Sequence, residues 1–167
     1  MVKKKIHLTI HRPKANRYFS NDQFGWYLAG LIDSDGSFDT QGNFILIFNS
    51  RDKGFAKSIR TRLGFGLVRN DKSKNSVILK ISRRENLLTL GKLILNKLKD
   101  PVKIAQFNVR IIPTLQQLEK TSIDTTINFN TPWFAGFVNA LSALSPSGAF
   151  CAGGTYGAIG IYQNEIQ

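Results

Sequence analysis

Two acidic residues at the end of an apolar run are the strongest candidates for chemistry in this chain of 167 residues. The run Leu28-Ala29-Gly30-Leu31-Ile32-Asp33-Ser34-Asp35-Gly36 has apolar residues at helical spacing and two carboxylates two positions apart. A second run, Phe134-Ala135-Gly136-Phe137-Val138-Asn139-Ala140, repeats the pattern 106 positions later without either acid. Paired carboxylates that meet where two helices end can hold Mg²⁺ ions for hydrolysis of a phosphodiester bond.

Small residues in both runs predict how such a meeting point would form. Ala29 with Gly30, and Ala135 with Gly136, would let two helix backbones approach closely and pack along one stripe. Packed in this way, the two helices would bring their C-terminal ends together. We therefore predict a helix-pair interface at these four residues.

The second run cannot supply the second carboxylate. When the two Ala-Gly pairs are aligned, Asn139 takes the position of Asp33, and Leu141 takes the position of Asp35. Leucine offers no oxygen to a hard divalent ion, which Asp35 and water alone would hold poorly. Cleavage of nucleic acid by a single chain is therefore not expected.

The residues between the two runs predict an α+β unit, in which helices cover one face of a four-stranded antiparallel sheet. Asn21 or Asp22 is the expected cap of the first helix, which ends at Gly36. Apolar periodicity and turn residues then predict strands at 36–40 and 43–49, a basic helix at 52–64, strands at 66–70 and 76–82, and a helix at 84–98.

The chain divides into four predicted segments. Residues 1–22 form a basic N-terminal arm, 23–100 a complete repeat, 101–131 a connector that is helical from 114 to 120, and 132–167 a second repeat. In this second repeat a helix at 133–140 precedes strands at 148–152 and 156–162, after which the sequence ends. The second repeat is therefore expected to be truncated.

The run from Leu28 to Gly36 resembles the motif of the LAGLIDADG homing endonucleases, from which it departs only at Ser34, and Ser37-Phe38 continue the pattern. The resemblance covers residues 23–167. It is to the members of the family that carry two motifs in one chain, and here the second motif is degenerate. It implies a saddle-shaped antiparallel sheet that lies on duplex DNA, formed by an αββαββα unit followed by a truncated αββ repeat. It also implies that Asp35 is the catalytic acid and the metal ligand.

A net charge of +12 indicates that the partner is a polyanion, with nucleic acid as the first choice. The candidate contacts are basic residues of the arm and of the second hairpin: Lys3, Lys4, Lys5, Arg12, Lys14, Arg17, Arg69, Lys72, Lys74 and Lys80.

Alternation in the strand at 43–49 gives the two faces of the sheet. It predicts that helices cover Phe44, Leu46 and Phe48, and it leaves Ile45 and Ile47 on the open face. Asp39 is expected on that open face too, where it would repel phosphates. Isoleucine offers neither the donors nor the acceptors that base reading requires.

Other features exclude whole classes of protein. A single cysteine rules out a disulfide within the chain and a zinc site built from several thiolates. We expect no membrane segment, because no apolar stretch is long enough, and neither a secretory signal nor an organellar leader at the start. The abundance of Lys, Asn, Ile and Phe suits an AT-rich organellar gene, and we expect the mitochondrion rather than the chloroplast.

The sequence thus predicts a cleavage-deficient protein that binds nucleic acid structurally and needs no cofactor. RNA is expected rather than DNA, either organellar ribosomal RNA or intron RNA, in a ribonucleoprotein with other proteins. The alternative is an active, Mg²⁺-dependent DNA endonuclease. Such an enzyme would act as a dimer or with a companion chain that supplies the missing half.

Overall fold

The first helix, α1 (Asn21–Asp35), begins at a capping box in the computed structural model, which describes residues 20–143. The Gln23 backbone N–H donates to Ser20 Oγ at 3.2 Å, and the Ser20 N–H donates to Gln23 Oε1 at 3.0 Å. The prediction of Asn21 or Asp22 as the cap is wrong, because Gln23 is correctly spaced to complete the reciprocal pair with Ser20. The predicted end of the helix at Gly36 is confirmed.

Two hairpins form one four-stranded antiparallel sheet. Its strands are β1 (Gly36–Phe38), β2 (Phe44–Asn49), β3 (Leu67–Asp71) and β4 (Ser76–Ile81), in the order β1-β2-β4-β3. A short 3₁₀ turn, Ser50–Asp52, leads from the first hairpin into α2 (Lys53–Leu63), and α3 (Arg84–Ile94) follows the second hairpin. This order confirms the predicted αββαββα unit and the α+β class.

One face of the sheet is fully covered by helices. Alternate residues of the two central strands lie in the core, each at most 2% exposed: Phe44, Leu46, Phe48, Val77, Leu79 and Ile81. Helix α1 crosses this layer and lies so close to α3 that a Cβ on Gly25 would collide with the carbonyl oxygen of Leu93. The prediction of which face the helices cover is confirmed.

The connector is helical, but not where the sequence predicts. A continuous helical segment consists of α4 (Pro101–Gln106), a π-helical turn (Phe107–Ile111) and α5 (Ile112–Leu115). The predicted helix at 114–120 is wrong, and α3 ends at Ile94 instead of 98. Asp100 starts the new segment, since its carboxylate accepts from the Val102 N–H at 2.8 Å and proline suits the first helical position.

The connector also fixes the outer edge of β1. The Phe38 N–H donates to Gln106 Oε1 at 3.1 Å, and Arg110 Nη1 donates to the Phe38 carbonyl oxygen at 2.5 Å. Buried Ile104, Phe107 and Ile111 hold the segment against the core. Gln106 and Arg110 are therefore held beside β1 by a segment that packs against the core.

The last described helix, α6 (Trp133–Ala143), packs along α1. Residues 1–19 of the predicted arm, which spans 1–22, and the predicted strands at 148–152 and 156–162 lie outside the described residues. Asn21 and Asp22 belong to α1. No helix among residues 20–143 has both the length and the hydropathy that crossing a bilayer requires.

Candidate metal centre and nucleic-acid interface

The helix pair is in direct backbone contact. A Cβ on Gly30 would collide with the carbonyl oxygen of Trp133, and a Cβ on Gly136 would collide with that of Tyr27. Ala29 and Ala135 flank these glycines and are 0% and 3% exposed. The structure thus brings Ala29, Gly30, Ala135 and Gly136 together in one contact. Any larger side chain at either glycine would force the backbones apart.

Two buried hydrogen bonds cross between the helices at equivalent positions. Trp133 Nε1 donates to Asp33 Oδ2 at 2.6 Å, and Asn139 Nδ2 donates to the Tyr27 hydroxyl oxygen at 2.7 Å. With Gly30 aligned on Gly136, Tyr27 matches Trp133 and Asp33 matches Asn139. The two bonds are therefore related by an approximate two-fold axis between α1 and α6.

Asp33 acts as a buried acceptor. Its side chain is 5% exposed, and Oδ2 also receives the Lys99 backbone N–H at 2.7 Å. Burial raises the pKa of Asp33 to about 6, although the hydrogen bonds from Lys99 and Trp133 favour the ionised form. Asp33 therefore joins α1 to α6 and to the segment that precedes α4.

Asp35 lies at the last turn of α1 and is half-buried. The pKa of Asp35 is raised to about 6 because burial raises it more than the positive charge of Lys103 on α4 lowers it. The sequence does not single out Lys103, because the predicted connector helix, at 114–120, does not contain it. Asp100-Pro101 is the local signal for a helix that would place Lys103 in its first turn.

The described carboxylates do not fit a two-metal centre. A pair of Mg²⁺ ions needs paired carboxylates from both sides of the axis. On the α1 side Asp33 is buried and its Oδ2 accepts from Trp133 and Lys99, which leaves the half-buried Asp35 as the candidate ligand. Among residues 20–143 no group of three or more His, Cys, Asp or Glu side chains could hold a metal ion.

The open face of the sheet is the surface on which a nucleic acid would lie. Strand register assigns its residues, since directly paired residues point to the same side. The open-face positions form three rows across the sheet: Ser37, Ile45, Lys80 and Leu67 in the first, Ile47, Ile78 and Arg69 in the second, and Asn49, Ser76 and Asp71 in the third.

The second hairpin carries four of the predicted nucleic-acid contacts. Arg69 is exposed on β3 and Lys80 is half-buried on β4, and both belong to the open face. Lys72 and Lys74 are exposed in the turn between the two strands. The six predicted contacts of the arm, Lys3, Lys4, Lys5, Arg12, Lys14 and Arg17, lie outside the described residues.

Asp39 does not occupy the strand position predicted for it. It lies after β1, where its carboxylate accepts from the backbone N–H groups of Gln41 and Asn43 at 3.0 and 2.8 Å and from Asn43 Nδ2 at 2.9 Å. Burial opposes ionisation, but these hydrogen bonds and Lys80 keep the pKa of Asp39 below its usual value. Asp39 therefore fixes the first hairpin turn.

The centre of the open face is aliphatic. Ile47 on β2 is directly paired with Ile78 on β4, and Ile45 occupies the neighbouring open-face position on β2. Ile47 is 42% exposed, which is high for an isoleucine within a central strand. We call Ile45, Ile47 and Ile78 the aliphatic cluster. Lys80 and Arg69 lie beside it.

Comparison with known proteins gives two intron-encoded relatives. An uncharacterized cox1 intron-2 37.2 kDa protein of Schizosaccharomyces pombe is 35% identical over 138 residues, covering 80% of this chain and 43% of the relative. A probable intron-encoded endonuclease 4 of Neurospora crassa is 26% identical over 129 residues, covering 70% of this chain and 23% of the relative. The chain therefore spans less than half the length of either. No family model matches the sequence.

Among solved structures, the LAGLIDADG meganuclease I-CpaMI bound to uncleaved DNA superposes with a TM-score of 0.51 and 16% sequence identity. The superposition covers 70% of this chain and 57% of that one. At this level of identity the likeness shows a shared fold. It confirms the fold that the residues from Leu28 to Gly36 led us to expect.

Proposed function

We propose that this chain, which has the fold of the LAGLIDADG homing endonucleases, binds a nucleic-acid duplex on the open face of its sheet without cleaving it. The observation that carries this proposal is the one-sided helix pair. Helix α1 ends in Asp35, whereas the sequence of α6 has Leu141 at the matching position and Asn139 in place of Asp33. A hard metal ion gains no ligand from leucine.

We propose duplex DNA as the ligand. The major groove of B-DNA admits a β-ribbon, whereas the major groove of an A-form RNA helix is too deep and narrow for side chains to read. Arg69 and Lys80 on the open face, with Lys72 and Lys74 at its end, supply positive charge for the phosphates. The meganuclease that shares the fold was crystallised with DNA, which supports the same choice.

RNA, the ligand predicted from the sequence, is the second candidate. The observation that favours it is the loss of the second carboxylate while the net charge of +12 is kept. Phosphate contacts and shape alone suffice for a structured RNA, such as organellar ribosomal RNA or intron RNA in a ribonucleoprotein. The relatives named for introns support an organellar setting, for which we propose the mitochondrion.

A DNA endonuclease completed by a second chain is a weaker proposal. Asp35 with Lys103 nearby would form one half of its centre, with Mg²⁺ as the cofactor. A homodimer through α1 would have to displace α6, because α6 already occupies that face of α1. A companion chain would therefore have to add its carboxylate without separating the helix pair.

Binding and cleavage can be tested together on the 167-residue chain. Fluorescence anisotropy should show tighter binding to a DNA duplex than to an RNA duplex of the same sequence. If four basic residues each contact a phosphate, affinity should fall about a hundredfold between about 50 and 200 mM salt. A supercoiled plasmid incubated with Mg²⁺ should stay intact.

Matched variants make the binding test specific to the open face. Replacing Arg69 and Lys80 with Ala should weaken binding to DNA and reduce its salt dependence by about two phosphate contacts. Lys57→Ala, which removes an exposed charge from α2 in the helix layer, should change neither. Tighter binding to RNA would select the second candidate. Plasmid cleavage that disappears in Asp35→Asn would refute the non-cleaving function.

A further inference from the structure

The aliphatic cluster lies at the centre of a face whose other described positions are polar except Leu67, which is 46% exposed on the edge strand β3. Ile47 and Ile78 are directly paired across β2 and β4, so their Cβ atoms lie about 5 Å apart. Ile45 lies about 7 Å from Ile47 along the same strand. The three side chains therefore form one continuous apolar area in the middle of the face.

Positive charge borders this area on one side. Lys80 is directly paired with Ile45, and Arg69 is directly paired with Ile78. Lysine and arginine beside an apolar centre match the chemistry of a DNA major groove, in which phosphates line the rims and base edges form the floor.

The four bases differ in the free-energy cost of placing their major-groove edges in contact with isoleucine. Guanine, adenine and cytosine present hydrogen-bonding groups in the major groove, and an aliphatic side chain would remove water from these groups without replacing it. Thymine presents a C5 methyl group as well, which gains from apolar contact. The cluster therefore has one favourable counterpart among the four bases.

We propose that Ile45, Ile47 and Ile78 contact thymine methyl groups, so that the chain selects duplex DNA with thymine beneath the centre of its sheet. This inference rests on the proposed binding of duplex DNA. It adds a base-sequence preference to that function. The same preference would weaken binding to RNA, because uracil lacks the methyl group.

Removal of the methyl groups from the ligand tests this directly. The probes are a long alternating dA·dT duplex and the same duplex with deoxyuridine in place of thymidine. We expect the deoxyuridine duplex to bind more weakly, by about fourfold for each methyl group that isoleucine would otherwise cover. A second pair, alternating dG·dC with and without 5-methylcytosine, returns a methyl group to the same groove and should bind more tightly when methylated.

Variants of the cluster identify the side chains responsible. Threonine at positions 47 and 78 keeps the β-branched shape that suits a strand while reducing the apolar surface. The double variant Ile47→Thr, Ile78→Thr should reduce the preference for the thymidine duplex over the deoxyuridine duplex, with Ile45 and the two threonine methyl groups keeping part of the apolar contact. Ile123→Thr is the matched control, since Ile123 is 76% exposed and lies outside the sheet. It should keep the wild-type preference.

Each remaining outcome overturns the inference. Equal binding of both duplexes by the wild-type chain refutes the thymine contact and leaves the proposed DNA binding intact. Failure to bind either duplex refutes both proposals. A wild-type dimer in sedimentation that the double variant dissociates would assign the cluster to a second copy of the chain.

Discussion

Helices α1 and α6 are similar in packing and different in chemistry. Gly30 in α1 contacts the backbone of α6, and Gly136 in α6 contacts the backbone of α1. Two symmetric hydrogen bonds also join the helices. Only α1 has carboxylates at its end, among which Asp35 is the candidate metal ligand. In the sequence of α6, Asn139 and Leu141 take the corresponding positions.

The difference shows that two roles of one motif can separate. Contact between the helices depends on Gly30 and Gly136, whereas metal chemistry depends on the residues that follow. Asn139 replaces a carboxylate yet keeps a hydrogen bond across the interface, to Tyr27. Contact between the helices therefore does not require a carboxylate in the second motif.

The largest expected effect comes from breaking the helix contact. Gly30→Ala would place a Cβ against the Trp133 carbonyl oxygen, and backbone atoms cannot yield as a flexible side chain can. We expect the free energy of unfolding to fall by about 3 kcal/mol. Urea denaturation followed by circular dichroism measures it.

Gly54→Ala is the control for that change. Gly54 lies within α2, and a Cβ there has no neighbour within 4 Å. Alanine is the better helix former, so this variant should gain up to about 1 kcal/mol. A loss at Gly30 no larger than the change at Gly54 would contradict close contact between α1 and α6.

The second prediction compares the two symmetric hydrogen bonds. Trp133→Phe removes the donor to a carboxylate, Asp33, and should lower the free energy of unfolding by about 2 kcal/mol. Tyr27→Phe removes the neutral acceptor of Asn139 and should lower it by about 1 kcal/mol. Equal losses in urea denaturation would show that the charge on Asp33 adds nothing.

The smallest effect concerns Asp35 and depends on pH. The pKa of Asp35 is about 6 in the folded chain, and 3.8 is the value expected for the unfolded chain. Between these two pH values the folded state therefore binds more protons than the unfolded state. The free energy of unfolding should therefore fall as pH rises from about 4 to 6 and level off above that.

Asp35→Asn should remove this contribution. The shift corresponds to about 3 kcal/mol, which partial exposure reduces to about 1 kcal/mol. We expect the variant to be more stable than the wild type at about pH 7.5 and equal to it near pH 4. A variant less stable at pH 7.5 would show that attraction to Lys103 outweighs burial.

Much of the fold follows from local sequence signals. The Ala-Gly pairs predict the helix pair, and the apolar alternation of Phe44, Leu46 and Phe48 predicts the covered face. Gly42 and the polar residues 71–75 predict the two hairpin turns, and Gly64 predicts the end of α2. Gly42 and Gly64 have positive φ values of 78° and 85°, which glycine adopts without strain. Such signals depend on neighbours in the chain and can be recognised without tertiary contacts.

The parts that could not be predicted depend on contacts between distant residues. Asp100-Pro101 marks either the end of one helix or the start of the next, and the packing of Ile104 and Phe107 against the core decides between them. The proximity of Lys103 to Asp35 is a consequence of that packing. Likewise, Asp33 accepts hydrogen bonds from Lys99 and Trp133, which lie 66 and 100 positions away in the sequence.

The contacts of Gln106 and Arg110 with Phe38 have a consequence for assembly. In the described part of the chain β1 is an edge strand, and an edge strand offers unpaired backbone groups on which another strand can add. At Phe38 both outward groups are already satisfied by side chains. A foreign strand would have to break both bonds before it could pair there, so sheet-to-sheet aggregation is blocked at this edge without proline or a bulge.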